Sequence, residues 1–296
     1  MNRRILLLLT VILLATTAGC LRAAPNATAQ FDLQYGLAGG VALKLDAWLP
    51  AGAGPWPAVV MIHGGGWEGG DKREFYGHIP SYLAQGIACF PISYRLSGQA
   101  QYPACVDDCL AAVRWVRAHA AEYQVNPDRI AVMGGSAGGH LSLMVATAPT
   151  ADTDVDSHGK KLRCLVVAAA GLDGPMDMTV LATFQATTPE EQRNLAYAQA
   201  VTKKLLGGTP QEVPDKYRAA SPISRVTADT APALLLYGTK DTLVPPAQQT
   251  TMADKLKAAG VPVEVVPVEG QGHGASGMYS QPPVMKFLIE HLKAPG

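Results

Sequence analysis

The sequence has no excess of charge of either sign, because 24 lysines and arginines balance 24 aspartates and glutamates. No run of more than two basic residues occurs in it. Proteins that bind nucleic acid usually carry a basic patch or stripe, so neither nucleic acid nor an anionic polymer is indicated as a partner. The sequence also lacks internal repeats and low-complexity tracts, so no repeat architecture is predicted.

Long apolar runs are missing except near the N-terminus, where residues 5–15 follow Arg3 and Arg4. This run has the length of a signal-peptide core and is too short to span a membrane in the mature protein. Residues 1–24 are therefore predicted to be an export signal. The remaining residues, 30–296, are predicted to form one catalytic domain, since 48% of the chain is hydrophobic and can supply a sizeable core.

The segment Thr17-Ala-Gly-Cys20 resembles a bacterial lipoprotein cleavage box, although threonine stands where leucine is more usual. In that case Cys20 carries the lipid, which is then the protein's contact with the membrane. The alternative is ordinary cleavage after a small residue, near Ala24 or Ala29. Both alternatives predict export to the periplasm, the cell surface or the medium.

Cysteine is scarce, with five in the chain. Cys105 and Cys109 lie four residues apart in a helical pattern over 104–121, so both thiols lie on one side of the helix. Export permits disulfides, but a bridge within one helical turn is awkward, and we expect buried free thiols. Cys89 and Cys164 lie in predicted strands and are expected in the core. No metal-ligand spacing occurs, so neither a metal nor another cofactor is predicted.

Two glycine-rich stretches each follow an apolar run that is typical of a buried strand. Gly134-Gly-Ser-Ala-Gly138 has the form G-x-S-x-G, which places Ser136 on a sharp turn between a strand and a helix. His63-Gly-Gly-Gly-Trp67 can direct backbone N–H groups at an oxygen that becomes negative during acyl transfer. Together and in this order, the two motifs predict an α/β-hydrolase with Ser136 as nucleophile.

The other catalytic residues are sought in the chain order serine, acid, histidine. Asp241 follows the apolar strand predicted over 233–238, and His273 lies in the loop 269–274 after the next strand. His273 is therefore assigned as the general base toward Ser136 and as the later general acid. Asp241 is assigned to orient the imidazole and to stabilise its cation.

Structural roles compete with some of these assignments. The Ser136 motif is also compatible with a simple tight turn, and Asp241 with a helix cap. Asp173 and Asp177 follow the preceding strand and are alternative acids. Two other histidines are given structural roles: His140 in the helix after the serine, and His63 in its own loop.

Six segments of the sequence resemble the esterases related to hormone-sensitive lipase, and most closely their feruloyl/acetyl-xylan esterase-like branch. The similarity runs from about residue 30 to the end of the chain and is carried by His63–Trp67, Tyr94–Leu96, Asn126–Ile130, Gly135–Leu141, Ala220–Ile223 and Gly238–Pro245.

The resemblance implies the triad named above and an oxyanion hole made by the amides of Gly65, Gly66 and Ala137. One position departs from the group, because the residue before the serine is commonly acidic and here is Gly135. The departure removes a side chain that would support the nucleophile loop.

Eight strands are predicted, and helical patterns separate them from the third onward, as a mostly parallel sheet flanked by helices requires. The first two strands are expected to form an antiparallel hairpin at the sheet edge. Residues 174–221 are polar and mixed and have room for a small helical excursion, but the stretch is too short for a large lid. The predicted strands are 31–36, 41–49, 58–63, 87–94, 129–134, 164–170, 233–238 and 263–268.

These observations predict an exported serine carboxylesterase that hydrolyses short-chain acyl or aryl esters, including acetyl or feruloyl groups on carbohydrate, through an acyl-enzyme. Trp67 is expected either to bind the substrate or to brace the loop before it. An arylformamidase or peptidase-like amide hydrolase with the same triad is the alternative. A non-catalytic binding module is disfavoured, because such modules usually lose a triad residue.

Overall fold

A computed structural model describes residues 27–293, apart from the side chains of residues 275 and 276. The predicted export signal, including Cys20, lies outside the described residues. No helix of the described chain is both long enough and apolar enough to cross a membrane.

Eight strands form a single sheet, and their order across it is β1-β2-β4-β3-β5-β6-β7-β8. The strands are β1 (Thr28–Ala38), β2 (Val41–Leu49), β3 (Trp56–Ile62), β4 (Ala88–Ile92), β5 (Val125–Gly135), β6 (Ala169–Leu172), β7 (Ala233–Gly238) and β8 (Val263–Val268). β1 pairs with β2 and β2 with β4 in antiparallel fashion, whereas all later pairs are parallel. The predicted edge hairpin and the eight-stranded, mostly parallel sheet are thereby confirmed.

Eight helices connect the strands and cover the sheet. They are α1 (Ile79–Leu83), α2 (Ala104–Ala118), α3 (Ala137–Ala146), α4 (Met178–Leu181), α5 (Pro189–Leu206), α6 (Pro214–Ala219), α7 (Ala247–Ala258) and α8 (Pro282–Lys293). The helices α4, α5 and α6 make up the predicted excursion between β6 and β7. α5 begins with a capping box, in which Thr188 and Glu191 satisfy each other's backbone amides, and ends at Gly207 in the left-handed conformation.

The core has two layers, one on each face of the sheet. In β5, Ile130 and Val132 point into one layer, whereas Ala131 and Met133 point into the other. All four side chains are fully buried. Central parallel strands covered by helices on both faces are expected to be continuously apolar, and residues 130–133 of this strand are.

One predicted strand is largely wrong. Residues 164–170 were expected to pair, but β6 comprises only Ala169–Leu172. The preceding Leu165 and Val166 are buried without belonging to a strand, because an apolar run reports burial and not ladder hydrogen bonds. Cys164 lies outside the strand and is half-buried, with its thiol near the carbonyl of Asp229, so its expected core position is corrected.

The other cysteines of the described chain are buried and free, as expected. Cys105 and Cys109 lie on α2 and form no disulfide. Burial raises the pKa of Cys105 to about 12 and that of Cys109 well above its usual value. These thiols pack as small apolar groups and remain protonated.

A buried ion pair attaches the segment after β3 to the sheet. The Nζ of Lys72 lies 2.5 Å from Oδ1 of Asp46, which is fully buried on β2. Asp46 also accepts hydrogen bonds from the Tyr76 hydroxyl (2.6 Å) and from the backbone amide of Asp32 (2.8 Å). The carboxylate thus has three donors, which compensate for the loss of its hydration. The short 3₁₀ turn Lys72–Phe75 is consequently fixed beside the end of β3.

We expect Asp46→Asn to lower the free energy of unfolding by about 3 kcal/mol, because the substitution leaves the buried Lys72 ammonium without its main counter-charge. Asp152→Asn removes half of the exposed Lys161–Asp152 pair and should change stability by less than about 1 kcal/mol. Equilibrium denaturation in urea measures both. Equal losses in the two variants would contradict the assigned role of the buried pair.

Candidate active site

Ser136 lies on the turn between β5 and α3, in a backbone conformation that is rare outside glycine (φ 53°, ψ −120°). Its amide donates to the carbonyl of Leu172 at 2.7 Å, and its carbonyl accepts from the amide of His140 at 3.0 Å. The neighbouring strand and the first turn of the helix therefore hold the strained residue in place.

The glycines of the G-x-S-x-G motif are required by close approach of backbones. A Cβ atom added at Gly134 or at Gly138 would collide with the carbonyl oxygen of Ile62 at the end of β3. Gly64 lies so near the turn that a Cβ there would come within 3.5 Å of the Cβ of Ser136. The two glycine-rich stretches are thus in direct contact.

The structure brings the three predicted catalytic side chains together in one hydrogen-bonded series. Nε2 of His273 lies 2.9 Å from Oγ of Ser136, and Nδ1 of His273 lies 2.8 Å from Oδ2 of Asp241. The other oxygen of Asp241 accepts from the amides of Leu243 and Val244, each at 2.9 Å. Asp241 therefore fixes its own loop and the imidazole at once.

The electrostatic surroundings favour the charged form of His273. Burial lowers the pKa of the imidazole, but the hydrogen bond and charge of Asp241, with a further contribution from Asp173, raise it above its usual value. A base with a raised pKa accepts a proton more readily from the serine hydroxyl.

The two alternative acids occupy other positions. Asp177 caps α4, where its carboxylate accepts from the amides of Thr179 and Val180. Asp173 is fully buried and accepts from the amide of Gly238 at 3.1 Å. Neither is bonded to the imidazole of His273, which meets Asp241 instead.

The loop after β3 contains three consecutive residues of positive φ. Gly65, Gly66 and Trp67 have φ of 101°, 60° and 57°. The carbonyl of Gly65 points back into the loop and accepts from the amides of Glu68 and Gly69. Gly65, Gly66 and Ala137, which the sequence predicts as the oxyanion hole, line the same cavity as Ser136, and their role as donors stays a prediction.

Trp67 and His140 brace this loop together. Trp67 is 2% exposed, and its indole N–H donates to Nδ1 of His140 at 3.1 Å. Nε2 of His140 is 2.7 Å from the carbonyl of Ala220, so the neutral ring carries its proton on Nε2. Burial lowers the pKa of His140 to about 4, so the ring stays neutral across the working range of pH. Since its indole N–H is taken, any contact of Trp67 with substrate is through its ring, which lines the cavity described below.

His63 is buried at the start of the same loop and has an internal role. Its Nδ1 lies 2.8 Å from the carbonyl of Gly64, and its ring stacks on Tyr94 with the centroids 4.4 Å apart. Burial lowers the pKa of this imidazole. The arrangement agrees with the predicted support of the loop.

A cavity of about 290 Å³ opens beside the serine and the histidine. Several lining residues carry no sequence signal, because they come from turns and helices without a motif. Those from the excursion and from the loop after β7 are apolar, apart from the hydroxyl of Tyr197. The lining includes Pro175, Leu181, Tyr197, Ala198, Val201, Leu243 and Val244.

One group of side chains has the spacing of a metal site among the described residues. Ligand atoms of Asp173, Asp241 and His273 all lie within 4.8 Å of one another. Both nitrogens of His273 are already engaged, one with Asp241 and one with Ser136. A metal bound to His273 would therefore displace one of these two hydrogen bonds. The predicted absence of a metal stays a prediction.

We expect Asp241→Asn to lower kcat by about 10⁴-fold, because the amide favours the wrong imidazole tautomer. Asp173→Asn and Asp177→Asn are the controls, and a larger loss of kcat in either would contradict the assignment of Asp241.

In the wild type, kcat/KM should fall on acidification through a pKa above about 6.5, since only the neutral imidazole is a base and its pKa is raised. Asp241→Asn removes the chief contribution that raises this pKa, so the fall of kcat/KM should occur at lower pH in that variant.

Comparison with known proteins places this geometry in a family. Residues 45–256 match the BD-FAE family. A Mycobacterium tuberculosis protein named "Probable carboxylic ester hydrolase LipM" is 34% identical over 232 residues, which are 76% of this chain and 51% of that protein. The chain thus spans about half the length of the curated relatives it matches.

Solved structures agree over nearly the whole chain. A truncated carbohydrate esterase from gut microbiota has a TM-score of 0.72 at 27% identity, and the match covers 90% of this chain and 96% of that one. Butyrate-bound esterase 2 of Thermogutta terrifontis has a TM-score of 0.70 at 26% identity, over 92% and 97%. The chain therefore has the α/β-hydrolase fold and belongs to the BD-FAE family, among the esterases related to hormone-sensitive lipase.

Proposed function

We propose that this protein is a serine carboxylesterase that cleaves short-chain acyl or aryl esters through an acyl-enzyme. The observation that carries the proposal is the hydrogen-bonded series from Ser136 through His273 to Asp241 beside the glycine loop. The family match and the similarity to a protein named a probable carboxylic ester hydrolase support the same activity.

The geometry supports a two-step mechanism. Nε2 of His273 removes the proton from Oγ of Ser136 as the oxygen attacks the ester carbonyl. The amides of Gly65, Gly66 and Ala137 then stabilise the oxyanion of the tetrahedral intermediate. The imidazolium protonates the departing alcohol, which leaves an acyl-serine. Water repeats the sequence and releases the acid.

The substrate is proposed to have a short acyl group and a carbohydrate or aryl alcohol. A cavity of about 290 Å³ lies at about the lower limit of the range for small-molecule sites and is compatible with a short acyl chain. The solved neighbours support this class, since one is named a carbohydrate esterase and another was solved with butyrate.

We also propose that the protein is exported, as its N-terminal sequence predicts. Arg3-Arg4, the apolar run 5–15 and Cys20 carry this proposal, and they lie outside the described residues. Cell fractionation and labelling with a radioactive fatty acid test export and lipidation at Cys20, respectively. A product confined to the cytoplasm would contradict export.

Ser136→Ala should lower kcat by about 10⁴-fold or more, leaving only the contributions of binding and the oxyanion hole. An organophosphate should modify Ser136 alone, in proportion to the activity lost, because its hydroxyl contacts an imidazole that Asp241 orients. Peptide mapping by mass spectrometry identifies the labelled residue. Thr202→Val removes another buried hydroxyl, on α5, and is the matched control. Labelling elsewhere or an active Ser136→Ala variant would refute the mechanism.

The p-nitrophenyl ester series should show the highest kcat/KM between acetyl and butyryl. Each further CH₂ adds about 0.8 kcal/mol only where an apolar surface buries it, and the apolar part of the cavity lining consists of a few side chains from the excursion and from the loop after β7. A maximum at eight carbons or longer would indicate a lipase. Parallel assays with acetylated xylan, methyl ferulate and N-formylkynurenine separate the esterase from the amide-cleaving alternative.

A further inference from the structure

The active-site cavity contains a carboxylate that the proposed mechanism does not use. Glu74 is exposed and lines the same cavity as Ser136 and His273. It belongs to the 3₁₀ turn Lys72–Phe75, which the buried Lys72–Asp46 pair attaches to the sheet. Its backbone is therefore fixed, although its side chain reaches the solvent of the cavity.

A buried tyrosine holds the side chain of Glu74 in place. The Tyr279 hydroxyl donates to Oε1 of Glu74 at 2.5 Å, and the ring of Tyr279 is 1% exposed. The amide of Gly64 makes a longer contact with Oε2, at 3.4 Å. Burial, then the charge of Glu74, raises the pKa of Tyr279 well above its usual range, so the phenol remains protonated and continues to donate.

The contact with Gly64 places the carboxylate close to the nucleophile. A Cβ at Gly64 would lie 3.5 Å from the Cβ of Ser136, so the two backbones touch. A carboxylate has about four acceptor positions, and the protein contacts of Glu74 use two of them. At least two acceptor positions are left for a ligand in the cavity.

The cavity lining contains two kinds of side chain. Leu181, Ala198, Val201 and Val244 are apolar and suit a short acyl chain, whereas Glu74 and Tyr279 contribute polar groups. The polar group of the lining that is left for the alcohol portion of an ester therefore includes the carboxylate of Glu74.

We propose that Glu74 is a specificity-determining residue that accepts a hydrogen bond from a hydroxyl of the alcohol portion of the ester. This inference rests on the proposed esterase function and narrows its substrates to neutral, polyhydroxylated alcohols such as a sugar ring. Hydrogen bonds to a carboxylate are the strong ones, so one such contact is enough to select a substrate. An alcohol portion that carries its own carboxylate is disfavoured, because the two like charges repel.

The test compares two acetate esters with rings of the same size, methyl 2-O-acetyl-β-xyloside and cyclohexyl acetate. Only the first has hydroxyl groups. The wild type should prefer the xyloside ester, and Glu74→Ala should lower the ratio of the two kcat/KM values by about tenfold or more, the effect of one charged hydrogen bond. Glu74→Gln keeps the size and one acceptor oxygen and should give an intermediate ratio.

Two further variants control for loop damage and for folding. Glu68 lies in the same segment between β3 and α1 as Glu74, and it pairs with Lys204 at 3.1 Å. Glu68→Gln therefore changes a charge in this segment and should keep the wild-type ratio of the two kcat/KM values. Tyr279→Phe removes the hydroxyl that holds Glu74 and should raise KM for the xyloside ester. The backbone carbonyl of residue 279 still accepts a hydrogen bond from the Tyr82 hydroxyl in this variant. A thermal melt verifies that the variant is folded.

The outcomes distinguish the inference from the proposed function. A wild type that hydrolyses neither ester overturns both. If the wild type is active and Glu74→Ala lowers kcat/KM for the two esters equally, Glu74 supports the oxyanion loop, and the inference alone is overturned. An unchanged ratio, or an equal fall of the ratio in Glu68→Gln, overturns it as well.

Discussion

The contact between two backbones at the carboxyl ends of β3 and β5 is the constraint on which the site depends. The carbonyl of Ile62 lies against Gly134 and Gly138, so no side chain fits at either glycine. This contact forces the chain to turn sharply at Ser136 and brings the loop that begins at Gly64 alongside it. Ser136 and the glycine-rich loop after β3 are thereby placed by the sheet itself, before any side chain contributes.

The other residues of the hydrogen-bonded series follow strands that come later in the sheet order. Asp241 follows β7, and its two oxygens contact its own turn and the imidazole of His273, which follows β8. Because parallel strands end at one edge of the sheet, residues more than 130 positions apart in the chain meet over a few ångströms. Burial lowers the pKa of His273, but the hydrogen bond and charge of Asp241 raise it above its usual value.

The sequence was sufficient to predict the sheet, its edge hairpin and the proximity of Ser136, Asp241 and His273, because glycine-rich turns and apolar runs are local signals. It was misleading at residues 164–168, where burial occurs without ladder hydrogen bonds. It gave no signal for Glu74, which reaches the cavity only because Lys72 is paired with a carboxylate on β2. Contacts of that kind depend on tertiary structure, and no spacing in the chain encodes them.

The histidine that links Trp67 to Ala220 gives the site a mechanical property. Its imidazole has one proton and one lone pair, and both are used, so it joins the loop after β3 to the residue that ends α6. A shift of the backbone at Ala220 would consequently be transmitted through one buried ring to Trp67, and from there to the loop that lies against the turn of Ser136.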